Sequence, residues 1–210
     1  VHMLGVDEKF KPLPRAKTKP VIDALGLPDT YILVVGTIEP RKNLVGLAKA
    51  YRDLLTELPD APPIVFVGRP GWHYDQLMSE IEAVGINHHL IFASNVDDEQ
   101  LVSVYNHALT VITPSFYEGF GLPALEGMAC GIVPIVSNLS SLPEITGDVG
   151  LLIDPHDTNT ISEALKKVLT DSAWCQTQSR AGIRRAKQFT WDETARIIYE
   201  TYQSVLGISL

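Results

Sequence analysis

The chain has few of the residues that build metal sites or disulfide scaffolds. It contains two cysteines, Cys130 and Cys175, which lie too far apart in the sequence for a zinc site. Its six histidines show no metal-ligand spacing. We therefore expect reduced thiols, a cytoplasmic location and no bound metal.

Long apolar runs and positive charge are also scarce. No apolar run reaches the roughly 18 residues of a membrane span. The 17 basic and 25 acidic residues give a net charge of -8, which argues against a general nucleic-acid surface or an anionic-membrane surface. A polyanionic ligand would therefore need a local basic cluster.

Common nucleotide and nucleophile motifs are absent or misplaced. There is no G-x-x-x-x-G-K-[ST] phosphate loop and no G-x-S-x-G elbow. Residues 119–124 formally fit the dinucleotide pattern G-x-G-x-x-A, but they follow the fourth predicted strand, and the next strand ends in Ser137 and Asn138 without an acidic residue. A dinucleotide oxidoreductase is therefore the weaker interpretation.

The chain does have a regular alternation of short apolar runs and amphipathic segments. Apolar runs predict strands at 31–36, 64–68, 90–92, 109–113, 132–136 and 150–153. Apolar residues at helical spacing predict helices at 44–58, 77–84, 158–169, 173–187 and 191–206. Uniformly apolar strands suit a parallel sheet that is buried on both faces. The alternation predicts an α/β fold, a Rossmann-like doubly wound parallel sheet in three layers.

Residues 118–126, here called the double-Glu turn, place Glu118 and Glu126 around a Gly-Phe-Gly turn. Glycines at 119 and 121 permit backbone angles that a Cβ would forbid. The following Leu-Pro pair predicts a helix start near Leu122, and the N-terminus of that helix attracts anions. Each carboxylate could instead simply stabilise the helix dipole.

The loop after the first predicted strand carries the cations Arg41 and Lys42, followed by Asn43 as a candidate helix cap. Because the carboxyl ends of parallel strands meet at one edge of a sheet, we expect this loop near the double-Glu turn. Two cations and oriented N–H groups suit a diphosphate. Two solvated surface charges are the alternative.

These segments, continuing through residues 128–136 and 142–145, resemble the donor-binding C-terminal domain of the family 4 retaining glycosyltransferases (group 1 glycosyl transferases), which have the GT-B fold. The resemblance extends over nearly the whole chain, through residues 35–36, 40–43, 92–101, 150–152 and 189–192. It implies transfer of a sugar from a nucleotide donor to an acceptor hydroxyl with retention of configuration. It also implies that the reaction needs no metal and no cofactor.

The resemblance assigns roles to residues of this chain. Glu118 is implied as the catalytic residue beside the donor sugar, and Glu126 as the residue that binds the ribose hydroxyls. The other implied donor-binding residues are Gly36, Thr37, Arg41, Lys42, Val96, Gly119, Phe120, Gly121 and Leu122. Thr37 stands where many relatives carry Arg, so we expect Arg41 to supply that charge. Ser94 replaces a glycine on the base side, which leaves the base open. Residues 36–43 look most like the mannosyltransferase branch, which favours GDP-mannose over a UDP-sugar.

The resemblance also predicts a domain organisation. Residues 1–20 would be an interdomain linker, 21–188 the donor-binding domain, and 189–210 a helix that crosses to an N-terminal acceptor domain. That acceptor domain is missing from this chain, so we expect the isolated chain to be inactive. The exposed interdomain surface could form a homodimer, and the full-length enzyme could associate with a membrane. The alternative is a non-catalytic module that binds sugar nucleotides or carbohydrates.

Overall fold

One parallel sheet organises residues 4–207, the part of the chain that the computed structural model describes. Residues 1–3, which include His2, and residues 208–210 lie outside it, so the predicted linker and terminal helix are described only in part. The strands are β1 (Tyr31–Val35), β2 (Ile64–Val67), β3 (Leu90–Ala93), β4 (Ala108–Thr113), β5 (Val133–Ser137) and β6 (Leu151–Ile153). Their order across the sheet is β3-β2-β1-β4-β5-β6, which confirms the predicted Rossmann-like α/β fold.

Helices cover both faces of the sheet. They are α1 (Arg15–Ala24), α2 (Leu44–Glu57), α3 (Tyr74–Glu82), α4 (Asp98–His107), α5 (Leu122–Ala129), α6 (Leu142–Thr146), α7 (Thr158–Thr170), α8 (Ser172–Ala186) and α9 (Trp191–Leu206). Helix α1 begins inside the segment 1–20 that the sequence suggests as a linker. The domain boundaries stay a prediction.

The core is divided by the sheet, and β1 shows why. Ile32 and Val34 pack into the cluster under α2, α3 and α7, whereas Tyr31 and Leu33 pack into the cluster under α1, α4 and α5. Alternate side chains of a strand point to opposite faces. A central strand covered on both sides must therefore be apolar throughout, as predicted for β1.

The prediction of burial on both faces is wrong for the edge strands. In β3, Phe92 is 36% exposed, and in β6, Leu152 is 49% exposed. An edge strand has a neighbouring strand on one side only and lies near the limit of the helical layers. Apolar content alone does not reveal this, because edge and central strands have similar compositions here.

Short hydrogen bonds join the loops at the carboxyl edge of the sheet. Ile38 in the β1 loop donates its N–H to the carbonyl of Arg69 (2.9 Å) and accepts from the N–H of Gly71 (3.0 Å) in the β2 loop. The N–H of Phe116, after β4, donates to the carbonyl of Arg41 (3.0 Å). These bonds hold three loops together at the edge where the sequence predicts a site.

Candidate functional site

The carboxylate of Glu118 lies at the centre of a buried charge network. It accepts hydrogen bonds from Lys42 Nζ (2.7 Å), Arg41 Nη1 (3.0 Å) and Ser115 Oγ (2.6 Å). The side chains of Lys42 and Glu118 are only 10% and 9% exposed. Burial by itself would raise the pKa of Glu118, but the bonds from Lys42, Ser115 and Arg41 lower it overall. Glu118 is therefore ionised at neutral pH.

The local backbone explains how Lys42 reaches Glu118. Gly36 directly follows β1 and has a φ of +132°, and a Cβ built there would lie 3.1 Å from Lys42 Nζ. A 3-10 turn, Pro40–Lys42, then turns the lysine towards the double-Glu turn. Glycine at position 36 thus leaves the space that the ammonium group occupies.

Asn43 fastens the same loop in a way that the sequence did not indicate. It occupies the N-cap position of α2, but its side chain makes no capping bond. Its amide instead donates to the carbonyls of Pro114 (3.2 Å) and Pro155 (2.7 Å). The predicted N-cap position is therefore confirmed, but the side chain clamps three loops together instead of capping the helix.

The cations of the site are already matched by anions. Arg41 donates to Glu39 through Nε (2.9 Å) and Nη2 (2.6 Å), as well as to Glu118 and to the carbonyl of Tyr117. Lys42 is paired with Glu118. A diphosphate that enters here must therefore share these cations with Glu39 and Glu118.

Two serines hold the backbone of the double-Glu turn. Ser141 Oγ donates to the carbonyls of Glu118 (3.0 Å) and Phe120 (2.7 Å), and Ser140 Oγ accepts from the Glu118 N–H (3.0 Å). Helix α5 then starts at Leu122, as predicted. The turn is thus held in place by the segment that follows β5.

The two glycines of the turn differ. Gly121 has a φ of +111°, and a Cβ there would lie 2.6 Å from Leu142 Cδ2. Gly119 does not have a positive φ, and a Cβ there would meet no atom within 4 Å. The predicted backbone requirement is confirmed for Gly121 and wrong for Gly119, which simply leaves open space beside the chain.

This difference predicts unequal effects of alanine. Gly121→Ala should lower the free energy of unfolding by about 2–3 kcal/mol, because it combines an unfavourable φ with a clash in a packed region. Gly119→Ala should change it by less than about 0.5 kcal/mol. Urea denaturation of both variants measures the difference, and equal losses would contradict the conformational argument.

Glu126 lies on α5 and belongs to a separate arrangement. It accepts a hydrogen bond from Tyr105 Oη on α4 (2.8 Å), whereas Lys42 and Arg41 bond to Glu118 on the other side of the turn. Burial raises the pKa of Glu126 to about 7, while the bond from Tyr105 and the charge of Lys9 oppose that rise. Glu126 therefore changes charge near neutral pH.

The raised pKa predicts a pH-dependent stability. The unfolded chain ionises Glu126 near its ordinary value of 4.5, whereas the folded chain does so near 7. Stability therefore falls as the pH rises between these values, and the full loss is present above about pH 7. Glu126→Gln removes the ionisable carboxyl group, and with it this loss of stability. The amide oxygen remains as an acceptor for Tyr105. We expect the free energy of unfolding of the variant to exceed that of the natural chain by on the order of 3 kcal/mol at about pH 8.

Denaturation measured across the pH range tests this expectation. The two chains should be nearly equal at about pH 4.5 and should separate as the pH rises towards 8. A constant difference across the range would show that Glu126 has an ordinary pKa in the folded chain.

The remaining predicted residues surround these two arrangements. Thr37 is exposed in the β1 loop, and Val96 is half-buried against the cluster that contains Tyr105. Phe120 packs edge-on against Phe189, with ring centroids 6.2 Å apart. Glu118, Arg41 and Lys42 are thus brought into direct contact, while Glu126 and Val96 lie towards the α4 and α5 side.

Several polar residues of the site were missed by sequence reasoning. Ser115 stands three residues before Glu118, a spacing that could have suggested their hydrogen bond. Glu39 lies two residues before Arg41, a spacing that could likewise have suggested their ion pair. Tyr105 belongs to the apolar face of α4, where nothing in the pattern separates it from an ordinary core residue.

Residues 4–207 contain no group of three or more His, Cys, Asp or Glu side chains that could hold a metal ion. Within the same residues, Cys130 and Cys175 are unpaired, and Cys130 is buried. No helix in this part of the chain is long and apolar enough to cross a membrane.

Comparison with known proteins gives one matching family model and many relatives. The model described as "Glycosyl transferases group 1" matches residues 18–188. The O-antigen chain mannosyltransferase B of Escherichia coli is 37% identical over 201 residues, which cover 95% of this chain and 53% of that protein. The serotype-specific mannosyltransferase WbdA of Escherichia coli is 34% identical over 189 residues, covering 89% of this chain and 23% of that protein. This chain therefore spans about half or less of these relatives.

Solved structures show the same fold. The C-terminal domain of a group 1 glycosyl transferase (LpcC) from Francisella tularensis has a TM-score of 0.73 at 25% identity, covering 88% of this chain and 97% of that one. Sucrose-phosphate synthase from Thermosynechococcus elongatus has a TM-score of 0.78 at 26% identity, covering 98% of this chain and 52% of that one.

Proposed function

Because the chain belongs to the glycosyl transferases group 1 family, we propose that it is the donor-binding domain of a retaining mannosyltransferase and that it binds GDP-mannose. The observation that carries this proposal is the buried contact of Lys42 and Arg41 with Glu118, which joins the β1 loop to the double-Glu turn. It places two cations and a carboxylate at the carboxyl edge of a parallel sheet, where ligands of such sheets bind.

The diphosphate of the donor binds to the cations of this network. Arg41 and Lys42 lie in the β1 loop after Gly36 and Thr37, and Lys42 is fixed by its bond to Glu118. The N-terminus of α5, at Leu122, adds a partial positive charge. A preformed set of donors of this kind binds an anion without first having to order its own side chains.

The nucleoside lies on the other side of the double-Glu turn. The carboxylate of Glu126 accepts hydrogen bonds from the ribose hydroxyls, and Tyr105 holds that carboxylate in place. The half-buried Val96 contributes an apolar contact for the base. The family resemblance favours guanine, and a UDP-sugar is the alternative donor.

The sugar lies against the open backbone at Gly119, Phe120 and Gly121. Glu118 contacts its hydroxyls and stabilises the positive charge that develops at the anomeric carbon. The leaving phosphate accepts the proton of the acceptor hydroxyl, which attacks from the same face, so the configuration is retained. A carboxylate that is ionised at neutral pH suits this electrostatic role.

An acceptor domain completes the catalytic cleft in this proposal. The curated relatives are about twice the length of this chain or longer, and α9 presents exposed apolar side chains such as Tyr202 and Leu206 for contact with such a domain. The chain on its own then binds the donor but transfers sugar poorly. The same surface would allow a homodimer, and association with a membrane would belong to the whole enzyme.

A non-catalytic sugar-nucleotide module is the alternative function. The enzyme is favoured because the chain has both Glu118 and Glu126 together with Lys42. Binding of a sugar nucleotide alone does not need a carboxylate beside the sugar. Isothermal titration calorimetry with GDP-mannose, GDP and mannose tests donor binding. We expect GDP-mannose and GDP to bind and mannose to bind far more weakly. Absence of GDP-mannose binding would overturn the proposal.

A further inference from the structure

A cavity of about 620 Å³ opens at the carboxyl edge of the sheet, apart from the residues assigned to the donor. It lies between the N-terminal ends of α2, α3 and α7, and we call it the aromatic cleft. Those helices cover one face of the sheet, whereas Glu126 and Tyr105 lie on the other. Lys42, Glu118 and Glu126 do not line the cleft.

Exposed aromatic rings form two walls of the cleft. Trp72 is 62% exposed and packs on His73, with ring centroids 4.4 Å apart. Phe116 is 39% exposed and stacks on His156 at 5.0 Å. Exposed rings of this size are costly in water and commonly mark ligand-binding grooves. Flat apolar faces such as these suit the C–H faces of sugar rings.

Polar groups complete the lining. Lys49 and Glu80 bring one charge of each sign, and Gln76 Nε2 donates to Glu80 (3.0 Å). Among residues 4–207, Lys49 has no acidic partner within salt-bridge distance, so its ammonium group can donate to a ligand. The charges of Lys49 and Glu80 balance, which favours a neutral, hydroxyl-rich ligand over a phosphate or a nucleic acid. The polar side chains disfavour a lipid.

The protein's own contacts hold the backbone around the cleft. Asn43, which lines the cleft, bonds to the loops after β4 and β6. Gly71, before Trp72, packs so closely on the β1 loop that a Cβ would lie 2.5 Å from Thr37 Cγ2. His73 is held at a φ of +55°. These contacts fix the backbone on both sides of the Trp72 ring, so a ligand would not need to order it.

We propose that the aromatic cleft binds a segment of an uncharged oligosaccharide, the glycan that is elongated, next to the donor site. The sugar stacks on Trp72 and Phe116, and its hydroxyls bond to Lys49, Gln76 and Glu80. The identity of the glycan rests on the proposed function, because one relative named above is an O-antigen chain mannosyltransferase. The Phe116 backbone, which bonds to Arg41, links this cleft to the donor site.

The test is titration of the chain with α-linked mannotriose. Binding is measured by calorimetry and by the change in tryptophan fluorescence. We expect millimolar binding that Trp72→Ala weakens by about 10-fold or more. Trp191→Ala is the matched control, because Trp191 is 51% exposed at the start of α9, outside the cleft. It should bind mannotriose as the natural chain does.

Measurement of donor binding distinguishes a failure of the glycan site from a failure of the proposed donor function. GDP-mannose should bind equally to the natural chain and to Trp72→Ala. Mannotriose binding with no GDP-mannose binding would overturn the donor function and retain the glycan site. Absence of mannotriose binding at millimolar concentration, equal binding to Trp72→Ala, or a loss of GDP affinity in Trp72→Ala would overturn the glycan site.

Discussion

Replacing Glu126 by alanine should lower the affinity of the chain for GDP-mannose by about 10- to 100-fold, because a hydrogen bond to a charged group contributes about 1.5–3 kcal/mol. In the proposed donor site the ribose hydroxyls lose their acceptor, and Tyr105 Oη loses the partner that it bonds at 2.8 Å. Calorimetry at about pH 8, above the raised pKa of Glu126, measures the full effect. The affinity of the natural chain should fall as the pH drops below 7, since protonation removes the charged acceptor.

Two controls isolate the ribose contact. Glu163→Ala removes an exposed carboxylate on α7 and should leave the affinity unchanged. A 2′,3′-dideoxy analogue of GDP should bind the natural chain weakly, and Glu126→Ala should weaken that analogue no further, because the two changes remove the same bond. If the losses add instead, Glu126 acts elsewhere and not on the ribose.

We expect replacement of Lys42 by methionine to destabilise the fold and to weaken diphosphate binding. The Lys42–Glu118 pair is buried at 2.7 Å, with side chains 10% and 9% exposed. Loss of the ammonium leaves Glu118 with Arg41 and Ser115 only. Because an incompletely paired buried charge is costly, we expect a loss of about 2–3 kcal/mol in the free energy of unfolding. Binding of GDP should weaken by about 10-fold or more.

The matched control is Lys166→Met. Lys166 pairs with Glu57 at 2.6 Å, but those side chains are 38% and 50% exposed. An exposed pair contributes about 0–1 kcal/mol, so this variant should be nearly neutral. The double variant Lys42→Met with Glu118→Gln should recover much of the stability, because it removes both charges. Equal effects of Lys42→Met and Lys166→Met would show that burial does not matter at Glu118.

Much of the fold could be predicted from the chain because the sheet is buried. Short apolar runs such as 31–36 and 64–68 are typical of strands that helices cover on both faces. The segment 44–58 between them has apolar residues at helical spacing and forms a helix. What could not be predicted is which strands lie at the edges. Phe92 and Leu152 are as apolar as the central residues, and their exposure depends on the order of strands across the sheet.

The sequence predicts which charged residues form the candidate site, but not which side chains bond to one another. The β1 loop and the double-Glu turn meet because parallel strands present their carboxyl ends at one edge. The pairing of both cations with anions depends on side chains far apart in the sequence, such as Lys42 and Glu118. The Asn43 clamp and the Tyr105 bond to Glu126 depend in the same way on packing, which a single sequence does not display.

The donor site is tested most directly by a crystal structure of the chain with GDP-mannose. The ribose hydroxyl oxygens should lie about 2.6–3.2 Å from the Glu126 carboxylate. The diphosphate should lie against Lys42 and Arg41, with the sugar beside Glu118. A nucleotide bound in the aromatic cleft, or a ribose out of reach of Glu126, would contradict the proposed donor site.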